Sequence, residues 1–223
     1  FGTRLSEESQ FLPKPLVEIG GKPILWHVMK IYSHYGFNEF IICLGYRGDI
    51  IKDYFFNFHN QNNDFTINTL NGQIDYHNFL NENWKVTLVD TGLDTLKGGR
   101  IKRIEPYLES KYNMLTYGDG VSNININNLL DFHKKHQKIL TITGVRPPSM
   151  FGEIITDKEE VLSFEEKPQT SQGLINGGFM VFDRAMLDYL SVDESCDFEF
   201  GPLQEIVKAD QLKAYQYDGF WQC

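Results

Sequence analysis

Two cations near the start of the chain stand in settings that restrict them. Arg4 follows Gly2 and Thr3, and Lys14 lies between Pro13 and Pro15. Gly-Thr-Arg offers a backbone that can approach an anion closely, a hydroxyl, and a permanently charged planar fork suited to phosphate. The two prolines fix φ on either side of Lys14, so its side chain can be aimed at small entropic cost. The same residues would also serve as a surface turn and a solvated lysine in a rigid linker. "GGK" at 20 to 22 lacks the first glycine of a phosphate loop and has Pro23 where Ser or Thr is needed, so it reads as a hairpin turn before a helix.

Four later stretches carry comparable chemistry. In "TYGDGVSNI" (116 to 124) Asp119 sits between glycines after an apolar run, where open α/β sheets place ligands. It is the best metal-ligand candidate in the chain, although an ordinary turn looks the same. A hard oxygen there suits Mg²⁺, which keeps waters and shares substrate phosphates. "SFEEKP" puts Glu166 and Lys167 at a strand end stopped by proline, a possible ligand pair or only a polar terminus. "INGGFMVF" places Asn176 and Gly177 before an apolar run; paired glycines there suit either a backbone approaching a ligand or a bulge. "DTGLDTLKGGRIKR" supplies Thr95, Gly98-Gly99 at a helix start, and Arg100, a candidate site for a base or phosphate. His133 and His136 lie in "DFHKKH", whose lysines point to an exposed face rather than a zinc site. No GxSxG, HExxH or GxGxxG occurs, so covalent hydrolysis has no support.

These residues need a scaffold, and the hydrophobic pattern predicts one. Pro23 followed by apolar residues at 24, 25, 28, 31, 32 and 35 and closed by Gly36 predicts a helix. "EFIICLG" predicts a strand buried on both faces. "RGDIIKDYFFNF", "WKVTLVD", "GGRIKRIEPYL", "YNMLTYGD" and "NINNLLDFHKKH" continue the alternation as helix, strand, helix, strand and helix. Beyond about residue 138 four strand-like pieces follow, with helices near 184 to 190 and 201 to 209. The expected fold is α/β: a Rossmann-like, doubly wound, mostly parallel sheet flanked by helices. The Asn-rich segment 57 to 83, with Asn71-Gly72 between β-prone residues, predicts a hairpin insertion in a single domain over 1–223.

Composition narrows the function classes. With 21 Lys and Arg against 30 Asp and Glu, a net charge of −9 and no basic run, nucleic acid is not an expected partner. No stretch approaches the roughly 20 apolar residues of a membrane helix, so no membrane association is expected. Cys43, Cys196 and Cys223 are an odd set at wide spacings and read as reduced thiols, in keeping with a cytoplasmic protein.

Taken in order, "GTRL", "PKP", "GYRGDIIKDYF", "VTLVDTGLDTLKGGRIKR", "TYGDG", "FEEKP", "INGGF" and "GFWQC" resemble the sugar-phosphate nucleotidylyltransferases over nearly the whole chain. Within that family the pattern is most similar to the cytidylyltransferases acting on glucose 1-phosphate. Glu7 and Ser9 stand where thymidylyl- and uridylyltransferases usually carry proline and threonine.

The resemblance implies a Mg²⁺-dependent reaction. The phosphate of glucose 1-phosphate attacks the α-phosphorus of CTP in line, giving CDP-glucose and pyrophosphate for nucleotide-sugar and O-antigen or lipopolysaccharide biosynthesis. It implies that Gly2, Thr3 and Arg4 hold the triphosphate, that Lys14 reaches the α-phosphate and the attacking phosphate, and that Thr95 and Arg100 lie on the nucleotide. Asp119 would bind Mg²⁺. Glu166 and Asn176 would bond sugar hydroxyls, Gly177 would allow close approach, and Lys167 would grip the sugar phosphate. A homo-oligomer is implied as well. The family's first strand and leading glycines are expected before Phe1, and a second metal-binding aspartate after Cys223. A thymidylyl- or uridylyltransferase, or a regulatory module that binds nucleotide sugar without turnover, are the alternatives.

Overall fold

The computed structural model describes residues 12–77, 82–146, 153–157, 160–165 and 173–223. The chain divides into two compact units, the first within Phe1–Tyr107 and Ser191–Phe198, the second Leu108–Leu190 and Glu199–Cys223. Among the described residues no helix is long and apolar enough to cross a membrane.

In the first unit, strands β1 (Glu18–Ile19) and β2 (Lys22–Pro23) form a small hairpin turned at Gly20 and Gly21, as "GGK" predicts. Helix α1 (Ile24–His34) follows and buries Ile24, Leu25, Val28 and Tyr32 of the predicted stripe together with Met29, while Ile31 and Tyr35 are only half-buried. Then come β3 (Glu39–Leu44), α2 (Gly48–Phe56), α3 (Phe58–Asn62), β4 (Asp64–Ile67), β5 (Ile74–His77), β6 (Lys85–Asp90) and α4 (Lys97–Arg103). β3 and β6 pair in parallel from Glu39 opposite Lys85 to Leu44 opposite Asp90. Phe40, Ile42 and Leu44 share one face of β3 and pack, with Val86 and Leu88, in one cluster with Leu25 and Met29 of α1 and Ile51 of α2. Cys43 points to the other face, its Sγ 3.9 Å from the Arg100 carbonyl of α4. Helices therefore lie on both faces. Burial pushes the Cys43 thiol up to about 11, against the lowering effect of Arg100, which makes it an inert structural thiol. β3 is half-buried along most of its length rather than fully buried, since among the described residues it pairs on one edge. β4 and β5 form an antiparallel ribbon, with Phe65 opposite Tyr76 and Ile67 opposite Ile74.

Gly98 and Gly99 let the chain close tightly against the start of α4. A Cβ on Gly99 would lie 2.5 Å from the Asp193 carbonyl oxygen, and one on Gly98 would lie 2.7 Å from the Cys196 Sγ. The Gly99 N–H donates to the Cys196 carbonyl at 3.0 Å and the Leu96 N–H to the Glu194 carbonyl at 2.8 Å.

The second unit holds β7 (Tyr112–Leu115), β8 (Val121–Ser122), α5 (Ile126–His136), β9 (Leu140–Val145), β10 (Glu153–Asp157), β11 (Glu160–Glu165), β12 (Ile175–Asp183), α6 (Pro202–Lys208), β13 (Leu212–Tyr217) and β14 (Trp221–Gln222). Its main sheet runs β13-β9-β12-β7. β13 is parallel to β9, and β12 is antiparallel to both β9 and β7. The carboxyl ends of β7, β9 and β13 therefore share one end of the sheet with the beginning of β12. β10 pairs with β11 and β14 with β8, both antiparallel.

α5 corrects the expectation of an exposed histidine face. Asn125 caps the helix by accepting from the Asn128 N–H at 3.0 Å, and Ile126, Leu129 and His133 form its buried stripe. Lys134 and Lys135 are exposed, but a helix turns about 100° per residue, so they report on the opposite side. The His136 Nδ1 accepts from the Lys138 N–H at 3.0 Å, so its Nε2 donates to the Thr141 Oγ1 at 2.7 Å. The Thr141 hydroxyl in turn donates to His133 Nδ1 at 2.8 Å.

Burial, aided by His136 and opposed by Asp183, lowers the His133 pKa from 6.5 to about 4. The unfolded chain then binds this proton at higher pH than the folded one, so stability is full above the ordinary histidine range and falls as pH drops toward 4. Melting temperature should fall between pH 7 and pH 5, and fall less in His133→Gln; equal falls would contradict the assignment. Gly99→Ala should cost about 1–3 kcal/mol in chemical denaturation, the usual range for forcing an extra carbon into packed structure. An unchanged denaturation midpoint would refute the close approach.

Candidate functional site

The second unit gathers its candidate residues where β7 and β12 part. β12 pairs Asn176 with Gly144 and next Met180 with Ile142, so it gains residues over β9 and bulges across Gly177, Gly178 and Phe179. On its other edge β7 ends at Leu115, opposite Met180, and the chain turns away as Thr116–Gly120. The bulge and this loop meet. A Cβ on Gly178 would lie 2.7 Å from the Tyr117 ring, and Gly178 has φ +82°, so glycine is required on both counts.

Hydrogen bonds tie the two segments together. The Asn176 Oδ1 accepts from the Gly178 N–H at 2.9 Å, and the Asn176 Nδ2 donates to the Tyr117 hydroxyl at 3.0 Å. That hydroxyl donates to Glu199 Oε1 at 2.7 Å. Burial first, then the hydrogen bond and charge of Glu199, raise the tyrosine's pKa well above its ordinary range, so it stays a neutral donor. The Trp221 indole N–H donates to the Gly177 carbonyl at 2.8 Å, fixing the returning chain after β13 against the bulge. Asp119 stands in the turn beyond Tyr117, half-buried, between Gly118 and Gly120.

Asp119 fits a hard divalent cation on donor chemistry. Among the described residues no group of three or more His, Cys, Asp and Glu could hold a metal. A cation at Asp119 would need its remaining ligands from water and substrate phosphate, the mode that suits Mg²⁺ and not a zinc or calcium cage.

In the first unit the loop after β6 is built on two arginines. The Thr91 hydroxyl donates to the Leu44 carbonyl at 2.7 Å and accepts from the Arg100 Nη1 at 2.8 Å. Arg100 also donates to the carbonyls of Leu44 at 2.9 Å and Leu93 at 3.1 Å. Arg103 donates to the Thr91 carbonyl and to Thr95 Oγ1, both at 2.8 Å, and to the Val192 carbonyl at 3.0 Å. Thr95 is buried, and its hydroxyl helps shape the loop. Lys14 begins a turn of 3-10 helix in which the Leu16 N–H donates to the Pro13 carbonyl at 2.8 Å. Leu16 sits in the core beside α1, so the backbone that carries Lys14 is anchored.

The predicted site residues thus divide. Lys14, Thr95 and Arg100 belong to the first unit; Asp119, Asn176 and Gly177 belong to the second, at one end of its sheet. Gly2, Thr3, Arg4, Glu166 and Lys167 lie outside the described residues. The structure adds Tyr117, Glu199, Trp221 and Arg103 to these surroundings. Tyr117, Trp221 and Arg103 lie within quoted motifs, whereas Glu199 carries no spacing that marks it.

The nucleotidyl transferase family profile matches residues 1–222. A glucose-1-phosphate cytidylyltransferase of Salmonella typhi is 45% identical over 222 residues, covering 99% of this chain and 86% of that protein. A "Probable glucose-1-phosphate cytidylyltransferase" of Bacillus subtilis is 43% identical over 220 residues, with the same coverage of 99% and 86%. Among solved structures, HddC from Yersinia pseudotuberculosis superposes with a TM-score of 0.67 at 24% identity, covering 99% of this chain and 88% of that one, a likeness of fold. The chain belongs to the nucleotidyl transferase family.

Proposed function

We propose that this protein transfers the cytidylyl group of CTP to glucose 1-phosphate, giving CDP-glucose and pyrophosphate with Mg²⁺. The observation that carries the reading is the likeness, along nearly the whole chain, to a relative named for that reaction. The geometry supports it through loops at strand carboxyl ends, where α/β sheets receive ligands.

The chemistry needs no enzyme nucleophile. One phosphate oxygen of glucose 1-phosphate forms a bond to the α-phosphorus as the bond to pyrophosphate breaks. The protein's task is to hold two anions together in line and to offset charge on the leaving group. Arg4, with Gly2 and Thr3, holds the triphosphate, and Lys14 reaches the α-phosphate and the attacking phosphate. Arg100 and Thr95 set the loop that receives the nucleotide. Lys167 grips the sugar phosphate, Glu166 and Asn176 bond sugar hydroxyls, and Gly177 lets the backbone come close. Asp119 holds Mg²⁺, which supplies neutralisation of the triphosphate. The same reading makes the protein a homo-oligomer, with the ribbon of β4 and β5, where Phe65, Ile67 and Ile74 are exposed, as a contact surface.

Pyrophosphate release from Mg²⁺, glucose 1-phosphate and each of CTP, dTTP, UTP and GTP tests the reading. CTP should be used best; a preference for another base reassigns the nucleotide, and nucleotide binding without release points to a regulatory module. Asp119→Ala should lower kcat at least about 100-fold while the protein stays folded, the scale expected when charge stabilisation in the transition state is removed. Retained activity would take Asp119 out of the site. Lys167→Ala should raise KM for glucose 1-phosphate about tenfold or more, the scale of a lost charge-assisted contact, with a smaller effect on CTP. Equal effects on both substrates would contradict the assignment.

A further inference from the structure

We infer that Tyr117 and Glu199 are positioning residues that fix which way the Asn176 side-chain amide faces, and so decide what it offers a sugar hydroxyl. The inference rests on the reading of Asn176 as a ligand of the sugar.

The Tyr117 hydroxyl donates its proton to Glu199 Oε1 at 2.7 Å. A hydroxyl has one proton. What it presents to Asn176, 3.0 Å away, is therefore a lone pair, and only the amide NH₂ can meet it. The Gly178 N–H, 2.9 Å from Asn176 Oδ1, demands the carbonyl on the opposite side. Glu199 and Gly178 thus specify the amide orientation from both ends, leaving one N–H and one carbonyl lone pair of Asn176 for a ligand. Asn176 is exposed while Gly177 and Gly178 are buried, so the amide is the accessible part of the bulge. If Glu199 no longer accepted, the tyrosine proton could turn toward Asn176 and the amide could face either way. The side chain would then meet a sugar hydroxyl with its donor and acceptor exchanged for part of the time.

The test uses the full chain and steady-state pyrophosphate release. Tyr117→Phe keeps the ring against Gly178 and removes only the hydroxyl; Glu199→Ala removes the acceptor; Glu199→Gln keeps an acceptor oxygen. Tyr117→Phe and Glu199→Ala should each raise KM for glucose 1-phosphate about tenfold, with KM for CTP changing less than about twofold, and Glu199→Gln should recover most of the loss. In an Asn176→Ala background the same two changes should add less than about twofold, because their effect passes through the amide. Full additivity in that background, equal effects on CTP, or a lower melting temperature of Tyr117→Phe with unchanged KM overturns the inference while leaving the proposed reaction intact. Absence of pyrophosphate release from the unmodified protein overturns both.

Discussion

The second unit depends on a strand that cannot pair evenly along its length. β12 is bonded on both edges, to β9 and to β7, and its apolar residues Phe179 to Phe182 are buried. Those residues hold it in the core. Ahead of them the register with β9 breaks, and the surplus residues have nowhere to go except into a bulge at the end of the sheet. Two consecutive glycines make this possible, one under the Trp221 indole and one against the Tyr117 ring. Because β7 stops at the same level, the bulge fixes the loop that carries Asp119 as well as the side chain of Asn176. Core packing on one side of the break and hydrogen bonding on the other give the site its shape.

The first unit meets a similar need with charge. A loop at the carboxyl end of a half-buried parallel strand leaves carbonyls that want donors, and Arg100 and Arg103 supply several from rigid forks. The two arginines lie one turn apart on α4, and both donate to Thr91, Arg100 to its hydroxyl and Arg103 to its carbonyl. A helix whose first turn had to carry side chains at 98 and 99 could not come close enough to Cys196 and Asp193. The paired glycines and the paired arginines are thus one device: the first permits the approach and the second holds the loop.

Much of this was legible in the sequence, for physical reasons. Periodicity shows which face of α1 is buried, and a short apolar run bounded by turn residues marks β3 and β6, because local pattern and tertiary role coincide there. "INGGF" could be narrowed to a bulge or a ligand approach, and the bulge is present. His133 departs from the exposed face expected because neighbouring lysines describe the far side of the helix, whereas its buried role depends on Thr141 in β9. Glu199 could not be found by spacing. Its meaning comes from Tyr117, 82 positions earlier, and only the fold brings that pair together. The antiparallel setting of β12 likewise depends on long-range pairing that composition does not encode.

In the proposed reaction the protein brings two phosphates together and lets one displace the other's leaving group directly. Nothing in the quoted motifs supplies a nucleophile, and the residues proposed for the site are cations, amides and carboxylates. The stereochemical course of the reaction with one diastereomer of α-thio-CTP and glucose 1-phosphate tests this most directly. A single in-line displacement gives CDP-glucose thio-analogue with inverted configuration at the α-phosphorus; retention, which needs two displacements through a covalent enzyme intermediate, would contradict the account.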